Sequence, residues 1–217
     1  MKFVPLPRSF YKPSAEAVAP LLLGHFLLRN TPEGICGGPI VEAEAYLSND
    51  AACHAAVGET KRNRAMWGAP GFSYVYLIYG YHFCFNAVCR PSGIAEAVLI
   101  RAIEPSVGED LMRARRPVSD LNALTNGPAK LCAALDIDRR LDAIDVCDRN
   151  SPLYIARNPS IAAFLRERGP TVETTRVGIS KAADLPLRFY LEGSPFVSKR
   201  LTRGKKTFQK SNPPSVS

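Results

Sequence analysis

The sequence lacks the motifs that several large enzyme classes require. It contains no Gly-x-Gly-x-x-Gly fingerprint, no phosphate-binding P-loop and no Gly-x-Ser-x-Gly nucleophile elbow, which argues against nucleotide-cofactor enzymes and serine hydrolases. Its three histidines are scattered, and its six cysteines form no Cys-x-x-Cys pair, so no zinc-ligand spacing is present. We therefore expect neither a metal ion nor a cofactor.

Long apolar runs are missing as well. The strongest stretch, residues 21–28, is interrupted by Gly24 and His25 and is far shorter than the ~20 apolar residues that cross a bilayer. The first ten residues contain no apolar run before a small-residue cleavage site. We expect no membrane span and no secretory signal, and therefore free cysteine thiols in a reducing compartment.

Positive charge is unevenly distributed along the chain. The net charge is +8 over 217 residues, but residues 198–217 contain six lysines and arginines and no acid, which leaves +2 for the rest. Such a mildly basic body does not by itself indicate a nucleic-acid partner. The basic clusters at residues 61–64 and 113–116 are the better candidates for contacts with a polyanion.

Apolar periodicity and turn signals predict one α+β domain with a protruding β-hairpin. We predict helices over residues 14–23, 106–116, 126–135 and 160–168, and strands over residues 25–29, 39–47, 72–78, 82–89, 95–103, 188–191 and 196–198. The second helix should begin at a capping box formed by Ser106 and Glu109. The domain is expected to cover residues 1–201, followed by a basic, disordered tail over residues 202–217.

Acidic and aromatic residues share one face of the strand predicted over residues 39–47. Glu42, Glu44 and Tyr46 alternate there with small apolar residues. Two interpretations are open. The face points to solvent, or it forms a cleft wall in which a carboxylate lies beside an aromatic platform. In the second case the carboxylate could serve as a general base, which typically contributes ~10²–10⁴-fold in rate.

The predicted hairpin is rich in aromatic residues. Residues 72–86 include seven tyrosines and phenylalanines, although the whole chain is only 9% aromatic. Most of them should pack across strands or in the core. Tyr79, beside Gly80 at the tip, either folds back onto its strand or acts as a wedge that enters a base stack.

Two further polar residues stand in contexts that admit more than one role. Arg101 interrupts an apolar strand, so it must be paired, with Glu104 or Glu96, or must face a polar cleft. His54 ends a polar loop, where a lone histidine usually lies at the surface.

Short blocks in a fixed order and spacing carry a resemblance to a known family. The blocks are residues 40–47, 52–54, 62–64, 70–71, 74–80, 83–86, 98–105, 127–132, 176–179, 187–190 and 193–195. From about Tyr11 to Ser198 the chain resembles the alkyladenine (3-methyladenine) DNA glycosylase family. The resemblance implies a curved, mostly antiparallel sheet flanked by helices.

The resemblance also implies catalytic roles. Glu44 would be the general base that activates the attacking water, and Arg101 would hold that water and the backbone of the flipped nucleotide. The carbonyl of Ile179 would be a further contact of the water. With water as nucleophile, the enzyme would be monofunctional and would leave an abasic site.

Base recognition would follow from the same resemblance. Tyr46, His54 and Tyr76 would surround the extruded base, and Tyr79 would fill the gap that it leaves in the duplex. Asn86 would clash with the exocyclic amine of guanine. The backbone amide of His54 would contact the base edge.

The implied partner is double-stranded DNA that contains damaged purines such as 3-methyladenine, hypoxanthine or ethenoadenine. The candidate phosphate contacts, for which solvated surface is the alternative, are Lys61, Arg62, Arg64 and Lys130. We expect a monomer without membrane contact, located at the nucleoid in a bacterial cytoplasm, or in the nucleus of a eukaryote.

Two other functions are consistent with parts of the sequence. A noncatalytic binder could use the same wedge and pocket to mark lesions, but it would not need Glu44. A general nucleic-acid binder held by its basic tail would lose binding on deletion of residues 202–217.

Overall fold

The computed structural model describes residues 3–200, which form one α+β domain around an eight-stranded sheet. The strands are β1 (Phe26–Thr31), β2 (Gly34–Tyr46), β3 (Ser73–Ile78), β4 (His82–Cys89), β5 (Glu96–Ile103), β6 (Leu153–Ala156), β7 (Thr171–Thr174) and β8 (Arg188–Leu191). The α-helices are α1 (Ala15–Leu22), α2 (Glu109–Arg115), α3 (Pro128–Ala134) and α4 (Ile161–Arg168). The main sheet order is β3-β4-β5-β2-β1-β6, β8 pairs with β2 and β7, and all these pairings are antiparallel.

Strand β2 is the centre of the sheet. Its second half pairs with β5 on one edge and β8 on the other, and its first half pairs with β1. Residues 36–45 are all buried, so neither face of β2 meets solvent. The interpretation of Glu42 and Glu44 as surface acids is therefore wrong.

The two faces of the hairpin sheet contribute to different hydrophobic clusters, as the period-two alternation of a strand requires. Val75, Phe85 and Val98 belong to the large core, which also takes in the buried faces of α1 and α3. Tyr74 and Ala97 belong to a smaller cluster that also contains Cys53, Ala55 and Met66. The candidate site is built beside this smaller cluster.

Most predicted elements are confirmed, and three corrections have clear physical causes. Strands β6 and β7, four residues each, were missed because so short a segment shows little alternation. The strand predicted over residues 196–198 is wrong, because Ser198 donates its amide to the Glu42 carboxylate instead of joining the sheet. The capping box is wrong too, because Gly108 is the N-cap of α2 and has no side chain to cap with.

Gly108 itself explains this helix start. Its φ is +60°, and a Cβ there would lie 2.4 Å from the Ile35 carbonyl oxygen. Only glycine fits such a close approach in the left-handed region. Within residues 3–200, no helix is both long and apolar enough to cross a bilayer.

Candidate active site

A cavity of about 400 Å³ opens beside the hairpin, within the size range of small-molecule pockets. Seven of the residues predicted to form the site line it: Tyr46, His54, Tyr76, Tyr79, Asn86, Arg101 and Ile179. Glu44 is not itself a lining residue. It lies directly behind three that are, namely Tyr46, Arg101 and Val177.

Strand register brings these distant residues together. Tyr74 pairs with Asn86, Asn86 with Leu99, and Leu99 with Glu44. These four residues form one row across β3, β4, β5 and β2, and directly paired residues in a sheet lie side by side. The row therefore extends from the hairpin beside the cavity to the buried carboxylate of Glu44.

The Glu44 carboxylate is fully buried and is held by three groups. Oε1 accepts a hydrogen bond from the Val177 amide at 2.8 Å. Oε2 accepts one from the Tyr46 hydroxyl at 3.0 Å and lies 3.2 Å from Arg101 Nη1. A carboxylate offers about four lone-pair positions, so Oε1 retains one for a further donor such as water.

Glu42 differs from Glu44 in accepting four hydrogen bonds from its surroundings. Its Oε1 accepts from Arg101 Nε at 2.9 Å, Arg188 Nε at 2.7 Å and Ser198 Oγ at 2.9 Å. Its Oε2 accepts from the Ser198 amide at 2.7 Å. Glu42 therefore holds Arg101 and Arg188 in place and is not the candidate base.

Arg101 connects the two carboxylates to the cavity. Pairing with Glu96 or Glu104 is wrong, because Glu96 accepts from the Ala15 amide and Glu104 is paired with Arg168. Burial acts to lower the pKa of Arg101, but Glu44 and Glu42 more than compensate, and the pKa lies above its ordinary value. Arg101 therefore remains a cation at every working pH.

A pair of register shifts between β2 and β5 lies at Arg101. Glu42 is opposite Ala102 and Ala43 is opposite Ile100, so Arg101 has no partner on β2. An extra residue of this kind is a β-bulge, which changes the direction of a side chain and commonly occurs next to active sites. Period-two alternation read from the sequence could not have located it.

Behind Tyr46 lies an ion pair that the sequence did not reveal. The Arg176 guanidinium binds both Asp50 oxygens, one of them at 3.0 Å, and lies 4.7 Å from the centroid of the Tyr46 ring. Burial and then Glu44 raise the pKa of Tyr46 well above its ordinary value. The hydroxyl thus stays protonated and donates to Glu44.

The His54 segment is fixed by two polar residues. His54 Nδ1 lies 2.9 Å from the Tyr74 hydroxyl, and the Asn63 side-chain amide donates to the His54 carbonyl at 2.9 Å. Burial, followed by the positive charge of Arg62, lowers the pKa of His54. The ring is therefore neutral at pH 7 and half-buried against Tyr76, at 4.5 Å between ring centroids.

The hairpin tip presents aromatic surface at the cavity mouth. Tyr79 is 81% exposed and Tyr81 is 73% exposed. Tyr79 and Gly80 have φ values of +51° and +81°, within the three-residue loop that connects the paired residues Ile78 and His82. Tyr79 does not fold back onto its strand, since most of its surface faces solvent.

The four predicted phosphate contacts are all exposed. Arg62 donates to the Leu77 carbonyl at 3.1 Å, Arg64 pairs with Glu59 at 3.2 Å, and Lys130 donates to the Asn126 side chain at 2.7 Å. None of the four lines the cavity. Their contact with DNA stays a prediction.

Several supporting residues were missed by sequence reasoning: Asp50, Asn63, Tyr74, Arg176, Arg188 and Ser198. A single arginine or serine in a polar loop carries no local signal of burial. The one available indication was that most of them fall inside or beside the blocks that carry the family resemblance.

Comparison with known proteins agrees with this geometry. Residues 9–195 match the model of the family described as methylpurine-DNA glycosylase (MPG). The chain is 50% identical to a protein of Methanoculleus marisnigri over 90% of this chain and 99% of that one. It is 44% identical to one of Koribacter versatilis over 91% of this chain and 94% of that one. The names of both assign them provisionally as 3-methyladenine DNA glycosylases. This chain therefore belongs to the methylpurine-DNA glycosylase family, a family of enzymes that hydrolyse N-glycosyl bonds in DNA.

Proposed function

We propose that the protein is a monofunctional glycosylase of base excision repair that flips alkylated or deaminated purines out of duplex DNA. A water activated by Glu44 would then hydrolyse the N-glycosidic bond. One observation carries the proposal: a buried carboxylate with an unused acceptor position lies directly behind the wall of an aromatic cavity.

Base flipping is supported by the aromatic content of the cavity and its mouth. Extrusion costs a few kcal/mol, less for a weakly paired lesion, and each stacked aromatic recovers ~1–3 kcal/mol. Tyr46, Tyr76 and His54 would surround the purine, while Tyr79 would fill the vacated position in the duplex. Asn86, held by its bond to the Tyr74 carbonyl at 3.0 Å, would exclude the exocyclic amine of guanine.

The chemistry follows from the charges near Glu44. As the bond to the base lengthens, the sugar gains oxocarbenium character, which a nearby carboxylate stabilises. Glu44 takes a proton from water as the water oxygen bonds to the sugar carbon, and the base leaves with the bonding electron pair. No lysine lines the cavity within residues 3–200, so the proposal requires no Schiff base.

Contacts outside the cavity would orient the duplex. Lys61, Arg62, Arg64 and Lys130 are proposed as phosphate contacts, which set register and salt dependence but not base choice. The proposed form is a monomer acting on genomic DNA, at the nucleoid of a bacterial cell.

The proposal is tested by single-turnover excision from labelled duplexes that contain hypoxanthine, ethenoadenine or 3-methyladenine. We expect free base and an intact strand that breaks only after alkali treatment, with no release from the undamaged duplex. Strand breakage before alkali would rule out the monofunctional mechanism. Tight lesion binding without release of any base would identify a noncatalytic binder.

A further inference from the structure

The chain leaves the sheet through a short segment that covers the buried ion cluster. This strap, residues 196–199, follows β8 and packs with Phe196 and Val197 buried. Its Ser198 donates two hydrogen bonds to Glu42, from the amide to Oε2 at 2.7 Å and from Oγ to Oε1 at 2.9 Å. The Lys199 carbonyl accepts a further bond from the Arg188 guanidinium. A segment 156 residues away in sequence thus completes the coordination of Glu42.

The strap also contacts Arg101 directly. Each nitrogen of the Arg101 guanidinium has its own partner. Nε donates to Glu42 at 2.9 Å, Nη2 donates to Ser198 Oγ at 3.2 Å, and Nη1 lies 3.2 Å from Glu44. Since a guanidinium is a rigid planar fork, fixing Nε and Nη2 also fixes where Nη1 points.

We propose that Ser198 and Glu42 are positioning residues for the reaction: they hold the Arg101 fork so that Nη1 faces Glu44 at the cavity wall. This inference rests on the proposed function, because it assigns how Arg101 is kept in place while Glu44 activates water. Neither residue lines the cavity, so both act through Arg101 and not through the substrate.

The sharing of Glu42 explains why the fork needs a second anchor. Glu42 pairs with Arg188 as well as with Arg101, and its Oε1 is shared among both guanidinium groups and the Ser198 hydroxyl. Without the hydroxyl, Nη2 loses its acceptor, and the shared Nε contact is the one anchor that holds the fork apart from its pairing with Glu44. Misplacement of a catalytic group by about 1 Å can cost ~10²-fold in rate.

The test compares Ser198→Ala with Ser198→Thr, which keeps a hydroxyl at the same position. The matched control is Ser194→Ala, because within residues 3–200 the Ser194 hydroxyl accepts a bond from the Phe196 amide of the strap and contacts neither Glu42 nor Arg101. For each variant we would measure the single-turnover rate at saturating enzyme and the Kd for a duplex that carries an uncleavable abasic analogue.

We expect Ser198→Ala to lose about tenfold in the single-turnover rate with little change in Kd. Ser198→Thr should recover most of the rate, and Ser194→Ala should match the parent. Should Ser198→Ala fail to fold, Ser198→Cys supplies a weaker acceptor at the same site and should give an intermediate rate.

Two results would overturn the inference alone: a parental single-turnover rate in Ser198→Ala, or a loss that lies entirely in Kd. A purely structural role would lower Tm in the alanine variant without changing the rate of the folded enzyme. Failure of the parent itself to excise any lesion would overturn the proposed function, and this inference with it.

Discussion

Two glutamates two residues apart on β2 illustrate how roles are set at the residue scale. Both are fully buried, and both contact Arg101. Glu42 accepts four hydrogen bonds, whereas Glu44 accepts two, from the Val177 amide and the Tyr46 hydroxyl, and pairs with Arg101 at 3.2 Å. All three partners of Glu44 line the cavity, which makes Glu44 the candidate base, a difference that is invisible in the alternating sequence.

Base choice is expected to depend on Asn86. Replacing Asn86 with Ser shortens the side chain at the cavity wall and removes the proposed clash with the guanine amine. We expect excision of guanine from an ordinary duplex to rise about tenfold relative to hypoxanthine. The measurement is the ratio of the two single-turnover rates, with Ser73→Ala as a control for altered β3–β4 packing. An unchanged ratio would remove Asn86 from specificity.

The stability of the fold is expected to fall in acid because of His25. Burial, and then the charge of Arg157, lowers the pKa of His25 to about 4, and its Nδ1 accepts a bond from the Asn158 amide at 3.2 Å. Well above pH 6.5, His25 is unprotonated in both the folded and the unfolded chain. Between pH 6.5 and 4 the unfolded chain binds a proton that the folded chain does not, so the free energy of unfolding decreases as pH falls.

His25 changes the free energy of unfolding by at most about 1.4 kcal/mol per pH unit. Urea unfolding at several pH values measures it, and His25→Asn should flatten the slope in this range. A slope that is the same in both proteins would show that His25 is not the group responsible.

At the scale of elements, irregular backbone directs the site. The bulge at Arg101 leaves a buried arginine without a partner on β2, and the left-handed residues Tyr79 and Gly80 close the hairpin with its tip exposed. Alternation along β5 puts Arg101 on the same face as Leu99, which also lines the cavity. The site thus combines regular strand alternation with two places where the backbone departs from ideal pairing.

The hairpin tip is expected to control flipping through Tyr79. Tyr79→Ala removes one stacking partner, so affinity for a lesion duplex should fall about tenfold. Tyr81→Ala is the matched control, since both side chains are exposed at the same tip but only Tyr79 lines the cavity. Fluorescence of 2-aminopurine beside the lesion reports the unstacked state. Equal effects of the two variants would argue against a wedge at Tyr79.

For the molecule as a whole, we expect DNA binding to depend on the positions of particular basic residues more than on the net charge. The body carries only +2 when residues 198–217 are set aside, and Lys61, Arg62 and Arg64 are exposed in the segment that precedes the hairpin. Residues 202–217, for which the sequence predicts disorder, lie outside the described residues. A localised basic surface would orient the duplex so that the hairpin tip meets the minor groove.

Salt dependence is the expected signature of these contacts. Lys61→Ala should lower affinity for damaged and undamaged duplex alike and reduce the slope of log K against log salt by about 1. Lys12→Ala, a variant of another exposed lysine, provides the control.

The basic tail is tested by a chain that ends at Arg200, which should bind undamaged DNA more weakly yet keep its excision rate at saturation. Loss of lesion binding in that truncated chain would favour a general binder held by its tail.

Sequence patterns predicted the hairpin, β5, α3 and α4 because their periodicity and turn residues are local signals. Residue patterns also singled out Tyr46, Tyr79 and Arg101, and the family resemblance supplied the remaining cavity-lining residues and the role of each. Neither located the partners of Arg101, because Glu42 and Ser198 reach it through a register shift and a segment without regular structure. Long-range polar contacts of this kind leave no periodic trace in a single sequence.

The most direct test of the account is single-turnover excision of hypoxanthine by the parent and by Glu44→Gln, with Glu16→Gln, an exposed helix residue, as the matched control. The amide keeps the shape of the side chain but cannot accept a proton from water. We expect the rate to fall at least ~10²-fold while lesion binding is retained and Glu16→Gln is unaffected. Excision at the parental rate in Glu44→Gln would contradict the role of Glu44 as general base.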